Sequence, residues 1–219
     1  TVSRAELAGD ARFAVERVAR EVRDALPNSV RVSGPCLEYI PVAGASSYTT
    51  LPVAAPANSF LSVPIDPLPI PTASRVAVYP DLNVYDLSSP APVSPAISLS
   101  APDVNNTITV TMGSAHQFPV ESPSKRYFVV GDPVSFCVDG GQLWRYSGYG
   151  YLATQPVLVD LPAALPGRAL LAQSITSAAP FTLNDATLTR NAVVALDMEF
   201  SRSGDTLRIE HTVQIRNVP

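Results

Sequence analysis

The sequence predicts an α+β protein: one long N-terminal helix packed on antiparallel sheet, with an irregular proline-rich insertion. Three observations carry this expectation. Residues 3–26 hold a continuous helical pattern that Pro27 stops, because the residue before a proline avoids the α region. Beyond Pro27 the chain breaks into short strand-like runs separated by turn formers. Twelve of the 22 prolines crowd into residues 41–102. The expected organisation is a helical segment over 1–26 and a β-rich globular domain over 27–219, with 42–102 as the insertion.

In the helix, Ala8, Ala11, Val15, Val18, Val22 and Ala25 recur at spacings of three and four and share one face. Phe13, Ala14 and Leu26 widen that stripe. The other face balances Arg4, Arg12, Arg17, Arg20 and Arg23 against Glu6, Asp10, Glu16, Glu21 and Asp24. Glu16–Arg20, Arg17–Glu21 and Arg20–Asp24 stand four apart, each worth about 0.3 kcal/mol when exposed. Ser3 and Glu6 fit a capping box.

After the helix, Val30–Ser33 and Cys36–Pro41 read as strands. Charges are sparse from 39 to 120: Asp66, Arg75, Asp81, Asp86 and Asp103. Leu61, Val63, Ile65, Leu68 and Ile70 are too apolar for solvated coil, so the insertion is expected to be ordered, with short edge strands. Arg75–Tyr79 is its best strand. Thr107–Met112 alternates, with Ile108, Val110 and Met112 inward. Arg126–Gly131, Val134–Val138 and Gln142–Ser147 read as a meander turned at Asp132-Pro133 and Asp139-Gly140-Gly141. Val157–Leu161 and Ala169–Ile175 are shorter candidates. Val193–Phe200 and Thr206–Arg216 form the clearest hairpin, with Leu207, Ile209, His211, Val213 and Ile215 on one face.

With 219 residues and 46% hydrophobic content, the chain can bury a sizeable core. A net charge of −4 argues against nucleic acid as partner. Lys125 is the only lysine among 15 basic residues. No run of eighteen apolar residues is present to span a membrane. Cys36 and Cys137 are the two cysteines, each in an apolar strand and neither in a metal or redox motif. They form either a disulfide, in an oxidising compartment, or two buried thiols.

Signals for chemistry are weak. His116, in a loop, and His211, on an apolar strand face, are the only histidines. Without a His/Cys/Asp cluster they make a poor metal site. No P-loop, GxGxxG or GxSxG turn is present. Asp81, Asn83 and Asp86 offer oxygens to calcium but lack the glycine and distal glutamate of an EF-hand. Asn105-Asn106-Thr107 matches a glycosylation sequon. Phe136, Trp144, Tyr146, Tyr149 and Tyr151 read either as packing or as a sugar-binding platform. No catalytic residue, metal or cofactor is expected, and the chain is read as a non-enzyme.

The stretches Arg12–Arg23, Ala25–Val32, Cys36–Pro41, Phe136–Tyr146 and Ile215–Pro219 together resemble the soluble part of minor pilins of the mannose-sensitive haemagglutinin type IV pilus (MshO type). More distantly they are similar to PilW-type minor pilins and J-type pseudopilins. The resemblance implies a type IV pilin-like fold and a structural role in pilus biogenesis, in a tip or initiation complex. It also implies an apolar half-helix upstream of Thr1, anchored in the inner membrane, and a periplasmic location that fits a Cys36–Cys137 bridge. The partners implied are other minor and major pilins, with the soluble piece a monomer. The expected subunit interface is Ala11, Val15, Arg17, Val18, Arg20 and Glu21, whose charges would set register against neighbouring helices. A glycan- or surface-binding tip adhesin is the alternative.

Overall fold

The helical pattern is realised over Val2–Arg23 (α1). Its buried face is Leu7, Ala11, Ala14, Val15, Val18, Ala19 and Val22, steps of three and four that keep one side toward the core. Arg20 and Arg23 in the last turn complement the negative end of the helix dipole. The helix stops earlier than expected. Ala25 bridges Pro41, the Leu26 amide donates to Ile40 O at 2.8 Å, and the Val42 amide to Asp24 O at 3.1 Å. Residues 24–26 are thus drawn into strand-like pairing. Phe13 is 58% exposed and does not belong to the stripe. At 100° per residue it lies about 200° around the helix from both Ala11 and Val15.

The computed structural model describes residues 2–66, 68–80, 83–184 and 192–215. The expectations for Asp81, Arg216 to Pro219 and the position of Thr1 lie outside these residues, as does the side chain of Ser3. Among the described residues the strands are β1 (Arg31–Ser33), β2 (Cys36–Tyr39), β3 (Val42–Ser47), β4 (Ala57–Ser62), β5 (Arg75–Ala77), β6 (Ile97–Leu99), β7 (Ile108–His116), β8 (Arg126–Val130), β9 (Val134–Asp139), β10 (Gln142–Tyr146), β11 (Arg168–Ala172), β12 (Phe181–Asn184), β13 (Val193–Arg202) and β14 (Asp205–Gln214). A short 3-10 turn, Leu158–Asp160, stands where the sequence reads as a strand.

These strands form four antiparallel sheets, ordered β1-β2-β9-β10-β11, β12-β13-β14, β3-β8-β5 and β4-β7-β6. The expected fold class is thereby overturned. Strand accounts for 42% of the chain and helix for 11%, so this is a mostly-β protein and not a pilin-like long helix packed on a sheet. The charged helix is the strongest local signal but a minor element, whereas the short strands between prolines signal weakly and sum to most of the structure.

The expected meander is also corrected. β8 pairs with β3 and β5, while β9 pairs with β2 and β10, so Asp132-Pro133 is a crossing between sheets. Pro133 has no N–H to continue a ladder. The β9–β10 and β13–β14 hairpins close with two residues each, Gly140-Gly141 and Ser203-Gly204, all four at positive φ as the twist of such turns requires.

Two main cores result. One joins the apolar face of α1 to Leu37, Tyr39, Phe136, Leu143, Leu196, Met198 and Phe200 of two sheets. The other lies inside the region that includes the proline-rich insertion, around Phe60, Ile65, Val76, Val110, Phe118 and Tyr127. The insertion is therefore ordered, because its apolar residues and those of β7 and β8 bury one another. A smaller cluster of Leu26, Ile40, Ala77, Val84, Tyr85, Val93 and Val130 joins them.

Candidate functional site

The most developed polar constellation lies where the end of α1 meets the five-stranded sheet. It is organised by two carboxylates, Glu21 and Glu38. Glu21 comes from the last turn of α1, on the flank of its apolar stripe. It accepts from Tyr39 Oη at 2.5 Å, from Arg145 Nε at 2.9 Å and from Arg17 Nε at 2.5 Å. Burial alone would push its pKa up. The hydrogen bonds from Tyr39, Arg145 and Arg17 outweigh that, and the carboxyl sits below its ordinary value. The Tyr39 hydroxyl is driven far up by burial and by this same carboxylate.

Glu38 behaves oppositely. It lies in the wholly buried strand β2, with its side chain 0% exposed. Arg31 Nε and Tyr149 Oη bond it, the latter at 2.9 Å. Here burial dominates over both donors and raises the pKa. Arg31 is engaged on several sides. Its two terminal nitrogens donate to Ala153 O and Leu152 O, each at 2.7 Å, and its guanidinium stacks 3.5 Å over the Tyr85 ring. Tyr85 in turn donates to Ser29 O at 2.6 Å. One arginine thus ties β1, β2, the loop after β10 and the insertion together.

Cys36 and Cys137 are joined by a disulfide. They face each other in the β2–β9 register with Cα atoms 4.2 Å apart. That separation matches a non-hydrogen-bonded antiparallel pair, where side chains approach closest. The bond closes a span of 101 residues.

Chemically, this constellation clamps; it does not present a reactive group. Ser135 Oγ lies 2.8 Å from Tyr149 Oη, which bonds Glu38, so hydroxyl, phenol and carboxylate line up. Ser135 and Glu38 are both buried, however, and a substrate has no approach to them. Among the described residues no group of three His, Cys, Asp or Glu is placed to hold a metal.

The histidines lie in different sheets. His116 ends β7 and is not in a loop; it is buried, with Nε2 at 2.9 Å from Ala91 O and its ring edge-on to Phe118. Burial holds its pKa below the ordinary value. His211 is half-buried in β14 opposite Leu196. Asn83 and Asp86 spend side-chain oxygens on the amides of Tyr85 and Ser88. The sequon residues Asn105 and Thr107 lie in an exposed turn held by Asp103.

The expected aromatic platform is largely internal. Phe136 and Tyr146 are buried, Tyr149 and Tyr151 direct their hydroxyls to Glu38 and Gly131 O, and Arg168 covers the Trp144 ring at 4.3 Å.

The expected interface residues divide. Ala11, Val15 and Val18 are buried within the chain, where α1 meets β13 and β14, so they are not open to another subunit. Glu21 is half-buried in the clamp. Arg17 keeps part of its surface, and Arg20 faces outward with Arg12, Phe13 and Glu16. Of the three expected ion pairs on the helix, Arg17–Glu21 forms. The sequence does not reveal the clamp residues Glu38, Arg31 and Tyr149 as a unit. The available signal was a lone glutamate inside the apolar run Cys36–Ile40.

Comparison with known proteins returns no match, whether to a family model, a curated protein or a solved structure. What the chain itself defines is a disulfide-bonded, mostly-β protein whose helix end is fastened to its five-stranded sheet through Glu21, bonded by Tyr39 and Arg145. No helix among the described residues is long and apolar enough to cross a membrane.

Proposed function

We propose that the chain is a structural subunit of type IV pilus biogenesis, a minor pilin or pseudopilin of the mannose-sensitive haemagglutinin kind. It would act in a tip or initiation complex, on the periplasmic side of the inner membrane and then in the pilus. The overall fold class lends this no support. One observation carries it: three of the separate stretches that bear the family resemblance adjoin one another in space. The end of α1, β2, and the β9–β10 hairpin are joined by Cys36–Cys137, Tyr39–Glu21 and Arg145–Glu21. Parts joined by a disulfide, a tyrosine hydrogen bond and a half-buried ion pair read as one module, a rigid seat for a helix.

The helix so seated offers Arg12, Phe13, Glu16 and Arg20 to a neighbour. An exposed phenylalanine ringed by both charge signs is suited to packing with another amphipathic helix. The disulfide fits an oxidising compartment. A tip adhesin that reads glycans through its tyrosines gains nothing from the geometry, since those rings and hydroxyls are occupied.

The test is a photo-crosslinking amino acid placed at Phe13 in the producing bacterium. Adducts with other pilin subunits are expected. Adducts confined to unrelated proteins, or none while a probe at Arg20 is equally silent, would contradict the proposal.

A further inference from the structure

We propose that β14 pairs edge to edge with β14 of a second copy of this chain, antiparallel about a two-fold axis at Ile209. The inference stands apart from the pilus reading and replaces the monomeric state expected from the sequence.

β14 is the outer strand of its sheet, ten residues long. Its pairing with β13 runs through ten consecutive partners without a register shift, and it contains no proline. Natural sheets usually guard such an edge with a bulge, a proline, charged side chains or a covering segment, because its free N–H and C=O groups template another strand; β14 has only charges, and Arg208 and Glu210 are of opposite sign. The Ile215 amide donates to Ala192 O at 3.0 Å. Antiparallel bonding alternates, so the odd residues of β14 bond to β13 and the even ones direct their amides and carbonyls away from it. Those even residues are Thr206, Arg208, Glu210, Thr212 and Gln214, all exposed. Among the described residues, no backbone hydrogen bond from elsewhere reaches them.

Charge then selects the partner and the register. With Ile209 on the axis, Arg208 of each copy faces Glu210 of the other, twice by symmetry. Thr206 faces Thr212, and on the inner face Ile209 meets Ile209 and Leu207 meets His211. Hydrogen-bonding alternation allows only slips of two residues. A slip one way sets Arg208 against Arg208, and a slip the other way sets Glu210 against Glu210; like charges directly opposite are destabilising. The pairing forms about eight main-chain hydrogen bonds. It also covers the half-buried Leu207, Ile209 and His211. Arg208 and Glu210 remain exposed enough to reach across, although Arg208 already bonds Asp197 on β13 and lies 3.4 Å from Glu210 of its own strand, a contact the cross-copy pairs extend. A self-complementary edge of this kind fits a C2 dimer.

Sedimentation velocity on the disulfide-intact chain, from about 1 μM to about 500 μM, tests this. The wild type is expected to shift from monomer to dimer. Glu210→Arg and Arg208→Glu should each weaken association at least about tenfold. An equimolar mixture of the two should associate as the wild type does, because each then faces its opposite. Thr212→Pro removes one outward donor without touching the β13 ladder, and should weaken association similarly. Thermal melts matching the wild type establish that each variant folds. A wild type that stays monomeric throughout overturns the proposal. So does a dimer indifferent to Glu210→Arg and Thr212→Pro, or a mixture that remains monomeric.

Discussion

Tyr39 donates its hydroxyl to Glu21 across 2.5 Å, and Arg145 reaches the same carboxylate at 2.9 Å. The last turn of α1 is thereby fastened to two strands of the five-stranded sheet. Tyr39→Phe leaves the ring packed against Phe136 but takes one donor from a half-buried carboxylate. A loss of about 1–3 kcal/mol is expected in urea unfolding. Arg17→Ala, at the exposed end of the same network, should cost under about 1 kcal/mol.

The two carboxylates should pull acid stability in opposite directions. The pKa of Glu21 lies below its ordinary 4.5 in the folded state, so its contribution is complete above pH 4.5 and is lost as pH falls toward the folded value. The pKa of Glu38 lies above 4.5, so the folded state takes up that proton first, and stability drops as pH rises from 4.5 through the folded value. Unfolding free energies measured from pH 3 to 8 should therefore show Glu21→Gln flattening the limb below about pH 4.5. Glu38→Gln should flatten a limb above it. A wild-type slope unchanged by either variant would refute the assignment.

Arg31 serves Glu38, two carbonyls and the Tyr85 ring at once. Arg31→Ala strands a buried carboxylate and should cost about 3–5 kcal/mol in denaturant unfolding. Arg31→Lys should recover only part, since an ammonium lacks the planar fork.

Reducing the Cys36–Cys137 bond opens a span of 101 residues. The chain-entropy argument predicts a loss of about 4–5 kcal/mol. Thermal unfolding with and without reductant checks it, and Cys36→Ala/Cys137→Ala should reproduce the reduced protein.

His116 is buried with its pKa held below 6.5. The unfolded chain takes up the proton first, so stability is complete above pH 6.5 and falls as pH drops below it. His116→Gln should abolish that part of the pH dependence.

Some of this was legible in the sequence. The β13–β14 hairpin showed itself through strict alternation around Ser203-Gly204, and β7 through Ile108, Val110 and Met112. β3 did not, because Val42–Ser47 is small and weakly patterned and gains its order from pairing with β8. The pairing of β2 with β9 joins residues about a hundred positions apart, and local pattern holds no record of that. Hydrophobicity places Phe13 on the apolar stripe, whereas its angular position sets it on the opposite side of the helix. In α1, Leu7 and Ala19, one step from the expected stripe, are the buried residues that pattern missed. The clamp was illegible for a different reason. That a glutamate between Leu37 and Tyr39 would be fully buried depends on Arg31 and Tyr149 arriving from elsewhere.

The central proposal, a structural part in pilus assembly, is tested most directly by counting surface pili in the producing bacterium after deletion of this gene. The account predicts loss of assembled pili, restored by the wild-type gene but not by a Phe13→Glu/Arg20→Glu variant that folds normally. Undiminished piliation in the deletion strain would contradict it.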